Sequence, residues 1–161
     1  ALASMCGCSK PAASPASATA TEGNSTEAAT AQPAPSLARA CELVTPAEMS
    51  TILGSPVVAT PNEGSVGKTE CVYAPADGVS PQVEFSVTWG DGHAAMTAMG
   101  MMGNIEPGIA NPYEGLGDQA AAVGPALMIR KGEDLVTLTF TGIDDTPVVA
   151  RKIFDTAKGR M

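Results

Sequence analysis

The sequence predicts an α+β fold, with an antiparallel sheet and about three helices packed on one face, after a disordered N-terminal tether. Residues 83–89 and 135–142 alternate apolar and polar side chains, the period of half-buried antiparallel strands. Residues 46–53 carry helix-capping signals at both ends. Residues 9–36 are mostly Ala, Ser, Thr and Pro without an apolar period, which is typical of disorder.

The composition bounds both size and partners. A chain of 161 residues allows one domain plus an appendage. Aromatic residues make up only 4%, so Val, Leu, Ile, Met and Ala must build the core. The net charge of −8 argues against nucleic acid and against a basic face for anionic lipid. No run of 18 apolar residues is present in this sequence.

We divide the chain into three parts: residues 1–8, a remnant of a secretory signal with a lipidation site; residues 9–36, a disordered linker; and residues 37–161, a single α+β domain. The linker would have a root-mean-square span of roughly 30 Å and a stretched length of about 90 Å.

Two cysteines, Cys6 and Cys8, lie immediately before the linker. A small residue, a cysteine and a polar tether form the layout of a bacterial lipoprotein, so we predict membrane attachment through an N-terminal lipid in the cell envelope, facing periplasm or exterior. Cys8 is the better acceptor because Gly7 precedes it, whereas Cys6, the alternative, follows the larger Met5. A Cys6–Cys8 bridge and two inert thiols stay open. A metal site lacks the four ligands that structural zinc needs.

The domain begins with a predicted helix over 46–53. Thr45 is its N-cap, with Pro46 in the first turn, Glu48 closing a capping box and Gly54 ending the helix. Short strands are predicted over 55–60 and 69–74 around a 62–68 loop. The inward residues of the next strand are Val83, Phe85, Val87 and Trp89.

A second helix is predicted over 92–102, followed by a Pro/Gly loop over 105–118. Strands over 119–124, 126–131 and 135–142 come next. In the last strand the inward residues are Val136, Leu138 and Phe140. The closing helix is capped by Asp145 or Thr146, with Pro147 at its first position, and buries Val149, Ile153 and Ala157 with Phe154 beside them.

Cys41 and Cys71 belong to the domain, and an exported protein meets oxidising conditions, so we predict that they form a disulfide. Two buried free thiols are the alternative. A catalytic cysteine is disfavoured because the single histidine is distant in sequence and no Cys–His signature is present.

One helix carries a possible soft-metal set. His93, Met96, Met99 and Met102 recur every third residue, and imidazole and thioethers suit Cu(I), so a periplasmic copper-binding protein is the alternative function. A spacing of three slips about 60° per step, so only neighbouring pairs share a helix face. Core packing by Met, or a Met-lined groove for an apolar ligand or partner, explains the same residues.

Other motifs predict no chemistry. GLGDQA at 115–120 fits a dinucleotide fingerprint only loosely, since a strand is predicted after it, and we interpret it as a glycine turn helped by Asp118. The pair Asp144–Asp145 suits a helix N-terminus. No catalytic constellation is recognisable, so we expect no enzyme and no cofactor.

Residues 40–158 contain four features in this order: the segments CELVTPAEMSTILGSPV, CVYA and GLGDQAAA, and a closing amphipathic helix. In this respect the chain resembles a family of uncharacterised bacterial cell-envelope lipoproteins, with Tyr73 where Trp is commoner. The resemblance implies an exported, anchored, non-catalytic domain and carries over no site residues. We therefore expect a lipid-anchored interaction or accessory module for another envelope component, most simply an envelope protein.

Overall fold

The computed structural model describes residues 38–161. The expectations for residues 1–8 and 9–36, including lipidation of Cys8 or Cys6, lie outside this part. Its helices are α1 (Ala40–Leu43), α2 (Pro46–Leu53), α3 (Gly92–Ile105) and α4 (Thr146–Ala157). Its strands are β1 (Val58–Glu63), β2 (Lys68–Ala74), β3 (Gln82–Thr88), β4 (Asn111–Tyr113), β5 (Gln119–Val123), β6 (Ala126–Lys131) and β7 (Asp134–Thr141).

The strands form one sheet in the order β1-β2-β3-β7-β6-β5-β4, and every neighbouring pair is antiparallel. The predicted α+β class is confirmed. Directly paired residues share a sheet face, so Cys71, Phe85, Leu138 and Leu127 form one row across four strands. All four side chains are buried, and this row is the middle of the main core.

Helices cover both faces of the sheet. Buried residues of α1, α2 and α4 pack in the main core, on the face of the Cys71–Leu127 row. Helix α3 instead packs through Met96 on Ala121 and Leu135, which belong to a separate cluster. Ala121 and Leu135 alternate with core residues along their strands, so they face the opposite side. The expectation that all predicted helices share one face is therefore wrong for the helix predicted over 92–102.

The helix predicted over 46–53 is confirmed with both of its ends. The Thr45 N–H donates to Glu48 Oε2 at 2.9 Å, and the Glu48 N–H donates to Thr45 Oγ1 at 3.3 Å. Gly54 ends the helix in the left-handed region, with φ of 73°. Met49 is fully buried, so the first turn is fixed against the core.

Both edge strands differ from the prediction. β1 begins at Val58, three residues later than expected, and runs through Glu63 into the predicted loop because it pairs with β2 along its whole length. β4 lies inside the predicted 105–118 loop. Each edge strand contains a proline, Pro61 or Pro112, which lacks an N–H and is tolerated where one side of a strand has no partner.

Smaller differences concern helix ends. Cys41 lies within the short helix α1 rather than before the first helix. α3 continues to Ile105, three residues beyond the prediction. Asp145 is the N-cap of α4, which puts Pro147 at the second helical position, still in the first turn. β3 ends at Thr88, so Trp89 follows the strand and is only partly buried.

The bend between α1 and α2 is attached to the rest of the domain at several points. Cys41 is joined to Cys71 of β2 by a disulfide with a Cα–Cα distance of 5.2 Å. The Tyr73 hydroxyl donates to the Val44 carbonyl, and burial raises the pKa of Tyr73. Near the C-terminus, Arg160 Nη1 donates to the Leu43 carbonyl at 2.9 Å.

Arg160 also pairs with Glu48. Its Nη1 and Nη2 atoms lie 2.8 and 2.5 Å from the two carboxylate oxygens, which is a bidentate pair. The hydrogen bonds from Arg160, and then those from Thr45, lower the pKa of Glu48 to about 2. One carboxylate therefore closes the first turn of α2 and holds the C-terminal end of the chain.

We expect the Cys41→Ala/Cys71→Ala variant to remain folded but to lose roughly 3–4 kcal/mol of unfolding free energy, because the bridge closes a loop of 30 residues in the unfolded chain. Urea unfolding measures the loss. Reduction of the wild-type protein should give a similar loss, and reduction of the variant none. Equal stability of both proteins would contradict a stabilising bridge.

We expect the stability of the wild-type protein to fall as the pH drops from about 4.5 towards 2. A carboxyl whose folded pKa is lowered stabilises the fold above its unfolded pKa and loses this effect on protonation. Glu48→Gln should be less stable at neutral pH and show a shallower fall in this window. Glu114→Gln, an exposed loop carboxylate, is the matched control. Parallel pH profiles for wild type and Glu48→Gln would show that protonation of Glu48 does not contribute to the loss of stability at low pH.

Candidate functional site

The sheet face opposite the main core carries a polar cluster. Glu70 accepts hydrogen bonds from Asn62 Nδ2 at 2.6 Å and from Lys68 Nζ at 2.7 Å. The Lys68 hydrogen bond is the main cause that lowers the pKa of Glu70. Burial, and then the charge of Glu70, raise the pKa of Glu84 on the neighbouring strand. Lys68 already balances Glu70. Among the side chains that the structure describes in residues 38–161, which do not include Glu63, no three His, Cys, Asp or Glu are grouped to hold a metal ion.

The proposed copper ligands are spread along α3. Met96 is buried under the helix, whereas Met102 is 40% exposed. His93 lies at the start of the helix, with Nε2 at 3.7 Å from Glu133 Oε1 and 3.5 Å from Arg130 Nη1. His93 and Met102 are nine positions apart, a rise of about 13.5 Å along the axis. A single ion cannot contact both ends of this set.

The GLGDQA segment is a turn that leads directly into β5 at Gln119. Asp118 accepts a hydrogen bond from the Gly132 N–H at 2.7 Å and lies 3.5 Å from Arg130 Nη1. Its carboxylate therefore ties this turn to the β6–β7 turn. A dinucleotide site requires a helix at this position, and a strand is present instead.

Helix α3 is the most unusual surface element. Between Gly92 and Ile105 the sequence has no Asp, Glu, Lys or Arg, although the whole chain has a net charge of −8. Its outward side exposes three large apolar side chains: Met101 by 61%, Met102 by 40% and Ile105 by 84%. A surface helix of a soluble domain normally places charged residues on this side. An exposed apolar patch of this kind is typical of a binding surface.

The other side of α3 borders an open groove of about 360 Å³ between the helix and strands β4 and β5. Met96 and Met99 lie on its helix wall, with Pro112 on the opposite side. From the sequence, a Met-lined groove is only one of the explanations of these methionines. The wall formed by residues 110–112 was missed because this segment was predicted to be a loop.

None of the helices described between residues 38 and 161 is long and apolar enough to cross a bilayer. Comparison of the chain with family models, curated proteins and solved structures found no match.

We expect Cu(I) affinity to be unchanged when Met96, Met99 and Met102 are all replaced by Leu, because His93 and Met102 lie too far apart for one ion. Competition titration in a Cys6→Ser/Cys8→Ser background measures this without contributions from the two N-terminal thiols. A loss of about tenfold or more would assign a copper site to this helix.

Proposed function

We propose that this chain is a lipid-anchored protein of the bacterial cell envelope whose folded domain is a non-catalytic accessory module that contacts another envelope protein. The main support for an exported location is the Cys41–Cys71 bridge between α1 and β2. Structural disulfides persist in oxidising compartments and are rare in the cytosol of most bacteria. The lipoprotein layout around Cys8, with Cys6 as the alternative, supports attachment to the membrane.

The outward side of α3 is the contact surface in this proposal. Met101, Met102 and Ile105 are exposed there, and no charged side chain of the helix has to be desolvated on contact. Methionine side chains are flexible and polarisable, which suits them to partner surfaces. The partner is expected to present an apolar, uncharged face, since a charged one would lose its water without gaining an ion pair.

The anchoring is tested by the intact mass of the protein extracted from its native membranes. We expect the mass of a diacylglycerol and an acyl adduct on one cysteine, together with a deficit of two hydrogens for the bridge. A protein recovered from the cytosol without adduct and with four reduced thiols would refute the proposal.

The contact surface is tested by crosslinking in intact cells followed by quantitative recovery of partners. Met101→Glu/Ile105→Glu should lose one stoichiometric partner, because a charge would be buried in an apolar contact. Val79→Glu is the matched control, since Val79 is 72% exposed in a loop outside α3. Equal recovery with all three proteins would exclude this surface of α3.

A further inference from the structure

The groove between α3 and strands β4 and β5 is lined by two glycines that the packing of the fold does not require. Gly100 and Gly103 line the groove from within the helix, where glycine weakens a helix relative to alanine. A Cβ at Gly100 would meet no atom within 4 Å. A Cβ at Gly103 would come no closer than 3.7 Å to the Ala110 carbonyl oxygen, an ordinary contact. Neither position needs glycine for packing, and both leave the groove open.

Gly92, at the start of the same helix, differs from Gly100 and Gly103 because it is tightly packed. A Cβ there would approach the Asp134 carbonyl oxygen to 2.6 Å, so close packing explains that glycine. The two glycines of the groove have no such explanation. Their effect is to leave open space beside Met96 and Met99.

The chemistry of the lining restricts the occupant. None of the ten residues that line the groove is ionisable. Methionine, alanine, glycine and proline form most of its surface, and the amides of Asn104 and Gln119 supply neutral donors and acceptors. A charged ligand would find no counter-charge in the groove, whereas an apolar chain with a neutral polar end meets a matching surface.

The size of the groove distinguishes a chain-like ligand from a partner helix. The helix wall from Met96 to Asn104 is about 12 Å long. A helix of that length and about 10 Å in diameter would fill about 900 Å³. The groove holds 360 Å³, which is within the range of small-ligand sites.

We propose that this groove binds a single apolar chain, such as one acyl chain of a lipid, that carries an uncharged hydrogen-bonding head group. The chain lies along Met96, Met99 and the two glycines, and the head group meets the amide of Asn104 at the end of this helix wall. This site faces away from Met101 and Ile105, so the inference does not depend on the protein contact proposed above.

The test is a titration of the full chain, labelled with ¹³C-methyl methionine, with 1-lauroylglycerol below its aggregation concentration. The Met96 and Met99 methyl signals should shift saturably, and those of Met101 and Met102 much less. Laurate, which has the same chain and an anionic head, should bind more weakly by about tenfold or more.

A size series at Gly100 shows whether the groove is the site. Gly100→Ala, Gly100→Leu and Gly100→Phe should weaken binding progressively, with a loss of about tenfold or more for Phe. The melting temperature of Gly100→Ala should not fall, because a Cβ at this helical position meets no neighbour. Ala98→Phe, which adds the same bulk to an exposed position of α3, should leave the affinity unchanged.

Four results would overturn the proposal: no saturable shift, equal affinity in Gly100→Phe, equal affinity for laurate, or shifts confined to Met101 and Met102. The last result would place the apolar molecule on the outward side of α3. Loss of the protein partner in Met101→Glu/Ile105→Glu, with lauroylglycerol binding retained, separates this site from the proposed contact surface.

Discussion

The attachment of the α1–α2 bend to the sheet is the constraint on which this domain depends. The core has few aromatic side chains, so the helices gain less from burial than in an average domain. The bend is held instead by a covalent bond from Cys41, a buried hydrogen bond from Tyr73 and the hydrogen bonds of Arg160. These contacts come from β2 and from the C-terminal end, so two distant parts of the chain fix one corner.

The parts of the fold that were predictable are those decided by local chemistry. The alternation in β3 and β7 follows from the period of a strand, and the ends of α2 follow from Thr45, Glu48 and Gly54. The edge strands were missed or shifted because their residues, including Pro61 and Pro112, favour loops when considered alone. Only pairing with β2 or β5 makes them strands.

The sheet face on which α3 packs could not be predicted from local chemistry either. Its methionines and alanines are apolar all round, so no stripe distinguishes a buried side from an exposed one. The structure resolves this by burying Met96 and exposing Met101. The sequence identified His93 and the methionines as notable residues, but the wall formed by β4 and the open space beside Gly100 depend on tertiary structure. The disulfide partners were predictable because few cysteines were available in the domain.

The prolines of the two edge strands have a consequence for copies of this domain that lie close together. Many copies side by side would bring open sheet edges together, and exposed edges pair readily into larger sheets. Pro61 and Pro112 each remove one hydrogen-bond donor from β1 and β4, the two ends of the sheet. Crowded molecules of this kind would resist aggregation by edge-to-edge pairing.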